Sequence, residues 1–242
     1  MSPVSKTVCL AACGLALGLQ SASAGAPLPN KHRQLQEAAA VVSFALPTRA
    51  AFRAQFVNNE DFTFNIDASK ATTGNGGGSA QTLSAAQLPS LTGEKVAMVK
   101  LVLQPCGINL PHVHPRATEI LYVIDAPAEG VLTAFVEENG GRTIENTIVT
   151  GEAAFFPQGL THVQVNMGCA PATMIAALGS DDFGVQTITS AALKGLAAAE
   201  GLGEGLAAAL GIAQDQLALL VGGFPDGPAI GAAECRQRCG LP

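Results

Sequence analysis

Residues 106–119 read CGINLPHVHPRATE, and the reading of the whole chain turns on the two histidines and the glutamate in that stretch. In a β-strand, side chains two residues apart point to one face, so His112 and His114 aim at a common point. Pro115 turns the chain, and Glu119 can come back from the next strand to the same place. A second stretch, GEAAFFPQGLTHVQVN over residues 151–166, supplies a third imidazole. Gly151 permits a tight turn, Pro157 and Gly159 shape a loop, and His162 opens a strand whose inward face it shares with Gln164 and Asn166. HxH alone is a weak signal. Joined to Glu119 and to a Gly/Pro-framed His162 it is far more specific, because each element has a geometric task. Arg116, between Pro115 and Ala117, reads as a structural or rim cation. His32, the remaining histidine of four, lies far upstream.

Around these stretches runs a series of short strand-like segments: 96–103, 119–124, 131–136, 143–149, 153–156, 162–165 and 173–178. Turn residues separate them, among them Pro105, Gly107, Pro127, Gly140, Gly141, Gly151, Pro157, Gly159 and Pro171. Short strands spaced by turns predict an all-β antiparallel sandwich or barrel. Residues 62–66 alternate and predict one more strand, and TTGNGGGS over 72–79 predicts a flexible loop. After Ser190 the period changes. AALKGLAAAEGLGEGLAAALGIAQDQLALLVGG predicts two or three short helices, broken by Gly201, Gly203 and Gly205, followed by an irregular tail. The expected organisation is a signal peptide at 1–24, a lead-in at 25–48, the β domain at 49–190 and a helical extension with tail at 191–242.

The 242 residues are 48% hydrophobic and 13% charged, which permits a sizeable core and argues against disorder. Thirteen Lys+Arg stand against 19 Asp+Glu, for a net charge of −6, and the cations are scattered. Binding to nucleic acid through phosphate neutralisation is therefore excluded as an expectation. At the start, Lys6 precedes an apolar run over 8–19, too short to span a bilayer, and Ala22-Ser23-Ala24 fits a small-x-small cleavage rule. The expected product is exported and soluble, with no membrane partner. Cys9 and Cys13 would leave with the signal. Cys106, Cys169, Cys235 and Cys239 would remain, an even number in an oxidising compartment. Three pairings are open; Cys106–Cys169 with Cys235–Cys239 is the preferred one, and free buried thiols at Cys106 and Cys169 are the alternative.

Three imidazoles and a carboxylate form a mixed N/O donor set that leaves two positions of an octahedron open. It suits Mn or Fe, or Zn or Cu by affinity alone, and it is unlike a closed structural zinc site. At this point the two stretches resemble the motifs of the cupins, specifically the secreted germin-like and spherulin-like group. Gly151, Pro157, Gly159, His162 and Asn166 match the second motif; His112, His114 and Glu119 match the first, within PHVHPRATE. The resemblance covers roughly residues 49–190. Two positions depart from it: the usual first Gly of the first motif falls on Cys106, and its usual closing Gly on Ala126.

The resemblance implies a β jelly roll holding manganese on His112, His114, Glu119 and His162. It also implies a homo-oligomer, trimer or hexamer, located extracellularly or in a cell wall. Its activities include oxalate oxidase and superoxide dismutase, acting on a small-molecule substrate or superoxide, while other members bind small ligands or are structural. Oxalate-oxidising germins place two Asn near the metal. Asn109 matches one, as a candidate catalytic residue; the other falls on Val99, which donates no hydrogen bond and weighs against oxalate. Expression in a secreting host should give a mature chain starting near Gly25, read by N-terminal sequencing; a chain that keeps the 8–19 run would contradict the export assignment.

Overall fold

The computed structural model describes residues 48–242. The expected signal segment, nearly all of the lead-in, and with them Cys9, Cys13 and His32, lie outside the described residues. Twelve strands follow in chain order: β1 (Thr72–Thr73), β2 (Gly78–Leu83), β3 (Ala97–Leu103), β4 (Gly107–Val113), β5 (Glu119–Asp125), β6 (Val131–Val136), β7 (Thr143–Ile148), β8 (Ala153–Phe156), β9 (His162–Asn166), β10 (Ala172–Leu178), β11 (Gln186–Thr187) and β12 (Ala229–Ile230). One sheet has the order β1-β2-β3-β10-β5-β8 and the other β11-β4-β9-β6-β7, with β12 added beside β4. The pairings are antiparallel, and the two facing sheets form a jelly roll.

Alternation explains why these segments are strands. On β5, Glu119, Leu121 and Val123 point inward while Ile120, Tyr122 and Ile124 face out. On β10 the inward set is Ala172, Met174, Ala176 and Leu178; on β6 it is Val131, Thr133 and Phe135. Leu103, Leu121, Val123, Met174, Leu178 and Phe156 fill the space between the sheets as one apolar core. The inward faces of β4 and β9 differ. They carry His112, His162, Gln164 and Asn166, all buried, and so make one wall of the barrel polar.

Five α-helices frame the barrel: α1 (Arg49–Arg53), α2 (Lys194–Ala198), α3 (Leu202–Leu210), α4 (Gln214–Gly222) and α5 (Ala233–Arg238). Ala207, Leu217 and Val221 form a small separate core between α3 and α4. Among the described residues no single helix is long and apolar enough to cross a membrane.

Five expectations need correction. Residues 62–66 are not a strand: 3-10 turns run over Asn59–Phe62 and Ile66–Ala68. Asp61 accepts from the Asn58 backbone N–H at 3.1 Å, and Asn65 accepts from the Asp67 backbone N–H at 3.1 Å. Such local side-chain bonds offer the backbone an alternative to a ladder. Gly203 and Gly205 do not break the helical region. They lie inside α3, and Gly201, in the left-handed conformation at φ 75°, makes the break before it.

The glycine-rich stretch 72–79 is not a free loop. It includes β1, starts β2, and lies against the chain's C-terminal segment so closely that a Cβ at Gly77 would sit 1.7 Å from the Ala229 carbonyl oxygen. Its glycines are there for close approach of two backbones. The facing tail is accordingly ordered rather than irregular: β12 pairs with Gly107 and Ile108 of β4, and the Ile230 N–H donates to Asn75 Oδ1 at 2.7 Å.

The disulfides are Cys106–Cys235 and Cys169–Cys239, with Cα separations of 5.7 and 5.2 Å, in place of Cys106–Cys169 and Cys235–Cys239. The reason is the helix. Cys235 lies on α5 and Cys239 caps it, and residues four apart on a helix have Cβ atoms about 5–6 Å apart, beyond the roughly 3.5–4.5 Å that a disulfide bridges. Both sulfurs of the helix therefore reach across to the barrel end, where Cys106 and the loop bearing Cys169 are neighbours: the Cys106 N–H donates to Gly168 O at 3.1 Å.

Replacing Gly77 with Ala should destabilise the fold by about 1–3 kcal/mol, since neither backbone can give way by the amount required. Denaturant unfolding measures this; a change below about 0.5 kcal/mol would show that the two segments do not hold each other.

Candidate metal centre

His112 and His162 are brought together by register: they are directly paired across β4 and β9. The ladder is irregular between Asn109 and His112, where Pro111 has no N–H to give. His114 lies one residue beyond β4, in the turn that Pro115 makes. Glu119 opens β5, paired with Phe156 on β8 and Leu178 on β10. One ligand atom from each of His112, His114, Glu119 and His162 lies within 4.8 Å of the others, and all four residues are buried.

The rings are fixed from outside. Phe156 stacks on His162 at 4.5 Å with an interplanar angle of 9°, and Phe183 meets His114 edge-on at 5.2 Å. The His112 Nδ1–H donates to Leu110 O at 2.8 Å, the His114 Nδ1–H to Gly184 O at 2.7 Å, and the His162 Nδ1–H to Leu160 O at 2.9 Å. A carbonyl can only accept, so each Nδ1 carries the proton and each Nε2 offers a lone pair inward. His114 Nε2 then stands 2.8 Å from Glu119 Oε2, and His162 Nε2 3.3 Å from the same oxygen without making a hydrogen bond. Lone pairs facing a carboxylate at these distances repel unless a cation or proton lies between them. A proton can serve one such contact; a metal ion serves all four groups at once. The donor set therefore fits a metal.

Electrostatics point the same way. Burial pushes the His112 imidazole down to about 3, and His162 adds to this while Glu119 opposes it. Burial alone would raise the Glu119 carboxyl; a proton at Nε2 of His114 and His162, hydrogen-bonded to the carboxylate, outweighs burial and holds the group at about 2, the part that an ion takes when those nitrogens carry none. A carboxylate at 4% exposure beside a neutral imidazole is a buried negative charge that calls for a positive partner.

The remaining sequence candidates divide. Asn109 lines a cavity of about 370 Å³ next to the cluster, as does Val99. The Asn109 Nδ2–H donates to Gln164 Oε1 at 2.8 Å, while Gln164 Nε2 is fully buried without a partner. Asn166 is structural: its Nδ2 donates to Leu103, Gln104 and Ala170 carbonyls, and its Oδ1 accepts from the Gly168 N–H. Arg116 is a rim residue that holds Asp182 by Nε to the carbonyl at 2.7 Å and Nη2 to Oδ1 at 2.8 Å, and so steadies the loop that presents Gly184 O to His114. Sequence reasoning missed the other side of the cavity, which is built from Ser190 and Ala191 and from residues 226–228. The one signal for it was the glycine run at 74–78, too small in side chain to have been left for anything but close approach. Cys106, Cys235 and Cys239 also bring their sulfurs within 4.8 Å of one another, but as disulfide members they are not ligands.

A family model described as Cupin matches residues 64–217. Spherulin-1A of Physarum polycephalum is 37% identical over 192 residues, which cover 78% of this chain and 74% of that protein. Germin-like protein 1-3 of Oryza sativa subsp. japonica is 40% identical over 140 residues, 57% of this chain and 61% of the relative. Among solved structures, an oxalate oxidase superposes with a TM-score of 0.60 at 24% identity over 70% of this chain and 84% of its own, a likeness of fold.

For the metal-free protein the two shifted groups act with one sign. The unfolded chain takes up a proton at His112 near 6.5 and at Glu119 near 4.5, whereas the folded chain resists to about 3 and about 2. The unfolded state binds more protons throughout, so stability should fall as pH drops from about 6.5 towards 2. Calorimetric Tm in the presence of a chelator should decline across that window; a flat profile would remove the buried, neutral His112 from the account.

Proposed function

The chain belongs to the cupin family, and on that footing we propose that it is a secreted, manganese-binding germin-like cupin with oxidoreductase chemistry, of the superoxide dismutase type ahead of the oxalate oxidase type. The observation that carries the reading is the inward convergence of three Nε2 lone pairs and the Glu119 carboxylate, each imidazole oriented by a backbone carbonyl. Bound there, manganese would supply open positions for an oxygen ligand and a change between its +2 and +3 states. The chain's part is to hold the four donors, to keep each imidazole proton on Nδ1 by accepting it at the Leu110, Gly184 and Leu160 carbonyls, and to offer the Asn109 amide to a molecule in the cavity. Fe, Zn or Cu would fit the same donors by type.

Val99 sets superoxide ahead of oxalate, because an apolar side chain lines the cavity where a second amide would steady a dianion. The two disulfides support export, since such bonds persist in oxidising compartments. We assign residues 49–190 to the barrel domain and 191–242 to an extension. The exposed outer row of Ile120, Tyr122 and Phe155 supports a homo-oligomer, trimer or hexamer. A second reading, a small-ligand-binding cupin without turnover, is favoured by the size of the cavity, which exceeds what superoxide or oxalate occupies.

His114→Ala should lose most of the bound metal, measured by elemental analysis of purified protein; full retention would mean that the ligands are misassigned. Oxalate-dependent peroxide release would reverse the order given by Val99. Metal with neither peroxide release nor superoxide consumption would establish the binding reading.

A further inference from the structure

The cavity beside the four ligands has a wall that belongs to neither stretch discussed at the outset. His112, His114 and Glu119 line the space of about 370 Å³ together with residues 226–228, and Val99, Leu101 and Leu121 are among its other lining residues. Volumes of this order hold small organic ligands. Much of the lining is apolar. The uncharged polar groups are the Thr72, Thr82, Thr187 and Ser190 hydroxyls and the Asn109 amide, and among the described residues no Lys or Arg side chain lines it. Apart from Glu119, the charged lining residue is Asp226, an exposed carboxylate at the rim.

The segment that brings in residues 226–228 has little apolar anchorage of its own. α5 buries no residue, and β12 is only two residues long. The segment is held at 227–231 by the ladder of β12 with β4, by backbone packing on Gly74 and Gly77, by the Asn75 bond to Ile230 and by the Gly231 N–H donating to Cys106 O at 2.9 Å, and beyond that by the pair of disulfides from α5 to the barrel end. A tether of this kind keeps a weakly packed segment at high effective concentration over its docking place.

We propose that this strap is the specificity wall of the metal cavity, and that the cavity takes a small molecule with an apolar body and an oxygen-bearing head that is uncharged in water and chelates the ion on releasing its O–H protons to solvent. The inference rests on the metal-binding reading above and adds the ligand class and the element that selects it. The hydroxyls and Asn109 meet the polar head, the Val99, Leu101 and Leu121 wall meets the apolar body, and the Asp226 carboxylate disfavours dianions at the entrance.

Catechol and oxalate are suitable contrasting probes, titrated calorimetrically under argon into full-length metal-loaded protein whose metal content is measured in parallel. Catechol should bind at least tenfold more tightly than oxalate. A variant with all four of Cys106, Cys169, Cys235 and Cys239 changed to Ser frees the strap, and it should retain its metal while losing most of that preference. Asp226→Lys, at an exposed position, should tighten oxalate several-fold and leave catechol within about twofold. Should the quadruple variant fail to fold, a non-chelating phosphine reductant on the wild-type chain replaces it. Protein without metal would sink the metal-binding reading itself. Metal-loaded protein that binds oxalate as well as catechol, or whose preference survives both release of the strap and Asp226→Lys, would overturn the proposal alone.

Discussion

A carboxylate enclosed among imidazoles is the constraint around which this barrel is arranged. Glu119 faces His114 and His162 from the first position of β5, sealed from water, and the rings offer it lone pairs rather than protons. An apolar pair of sheets would be cheaper to fold at this place. The polar inner wall on β4 and β9 is tolerated because almost every group in it is tied outward: imidazole N–H groups to carbonyls, Asn166 to three more carbonyls, Phe156 stacked over His162. The exceptions, His162 Nε2 and Gln164 Nε2, lie in that same polar wall. Unsatisfied atoms beside a buried carboxylate mark where the fold leaves room for something it does not itself contain.

Much of this was legible before any coordinates. The alternation of β5, β6 and β10 reads directly as inward and outward sets, since a strand's period is two and its core is one-sided. The convergence of His112, His114, Glu119 and His162 was legible for the same reason: spacing of two in HVH, a proline turn, and a glycine-framed loop bringing in a distant strand. What escaped were contacts between segments far apart in sequence. Nothing in 62–66 shows that Asp61 and Asn65 will spend their side chains on local backbone. Nothing in 229–230 announces a strand, because two residues carry no period. The cysteine count was right in parity and wrong in partners, since pairing depends on α5, whose geometry forbids the bond that the short spacing of Cys235 and Cys239 suggests.

The departures from the family pattern also find a place. Cys106 stands where a glycine is usual and adopts φ 58°, a left-handed conformation that costs a side-chain-bearing residue about 1–2 kcal/mol. The same residue is bridged to α5 and accepts from Gly231 through its carbonyl. The turn between β3 and β4 is thus less relaxed than a glycine would make it, but it anchors the segment that borders the cavity.

Because both covalent anchors join Cys235 and Cys239 to positions 106 and 169, neither can close until α5 has been made. The barrel must hold its two partner sulfurs ready while the helices between are still being made. A chain terminated after α4 would keep β1 to β11 and the four converging side chains, but it would lose β12 and carry two unmatched thiols beside an unwalled opening. Loss of the segment around α5 would therefore register as exposed sulfur rather than as a missing core.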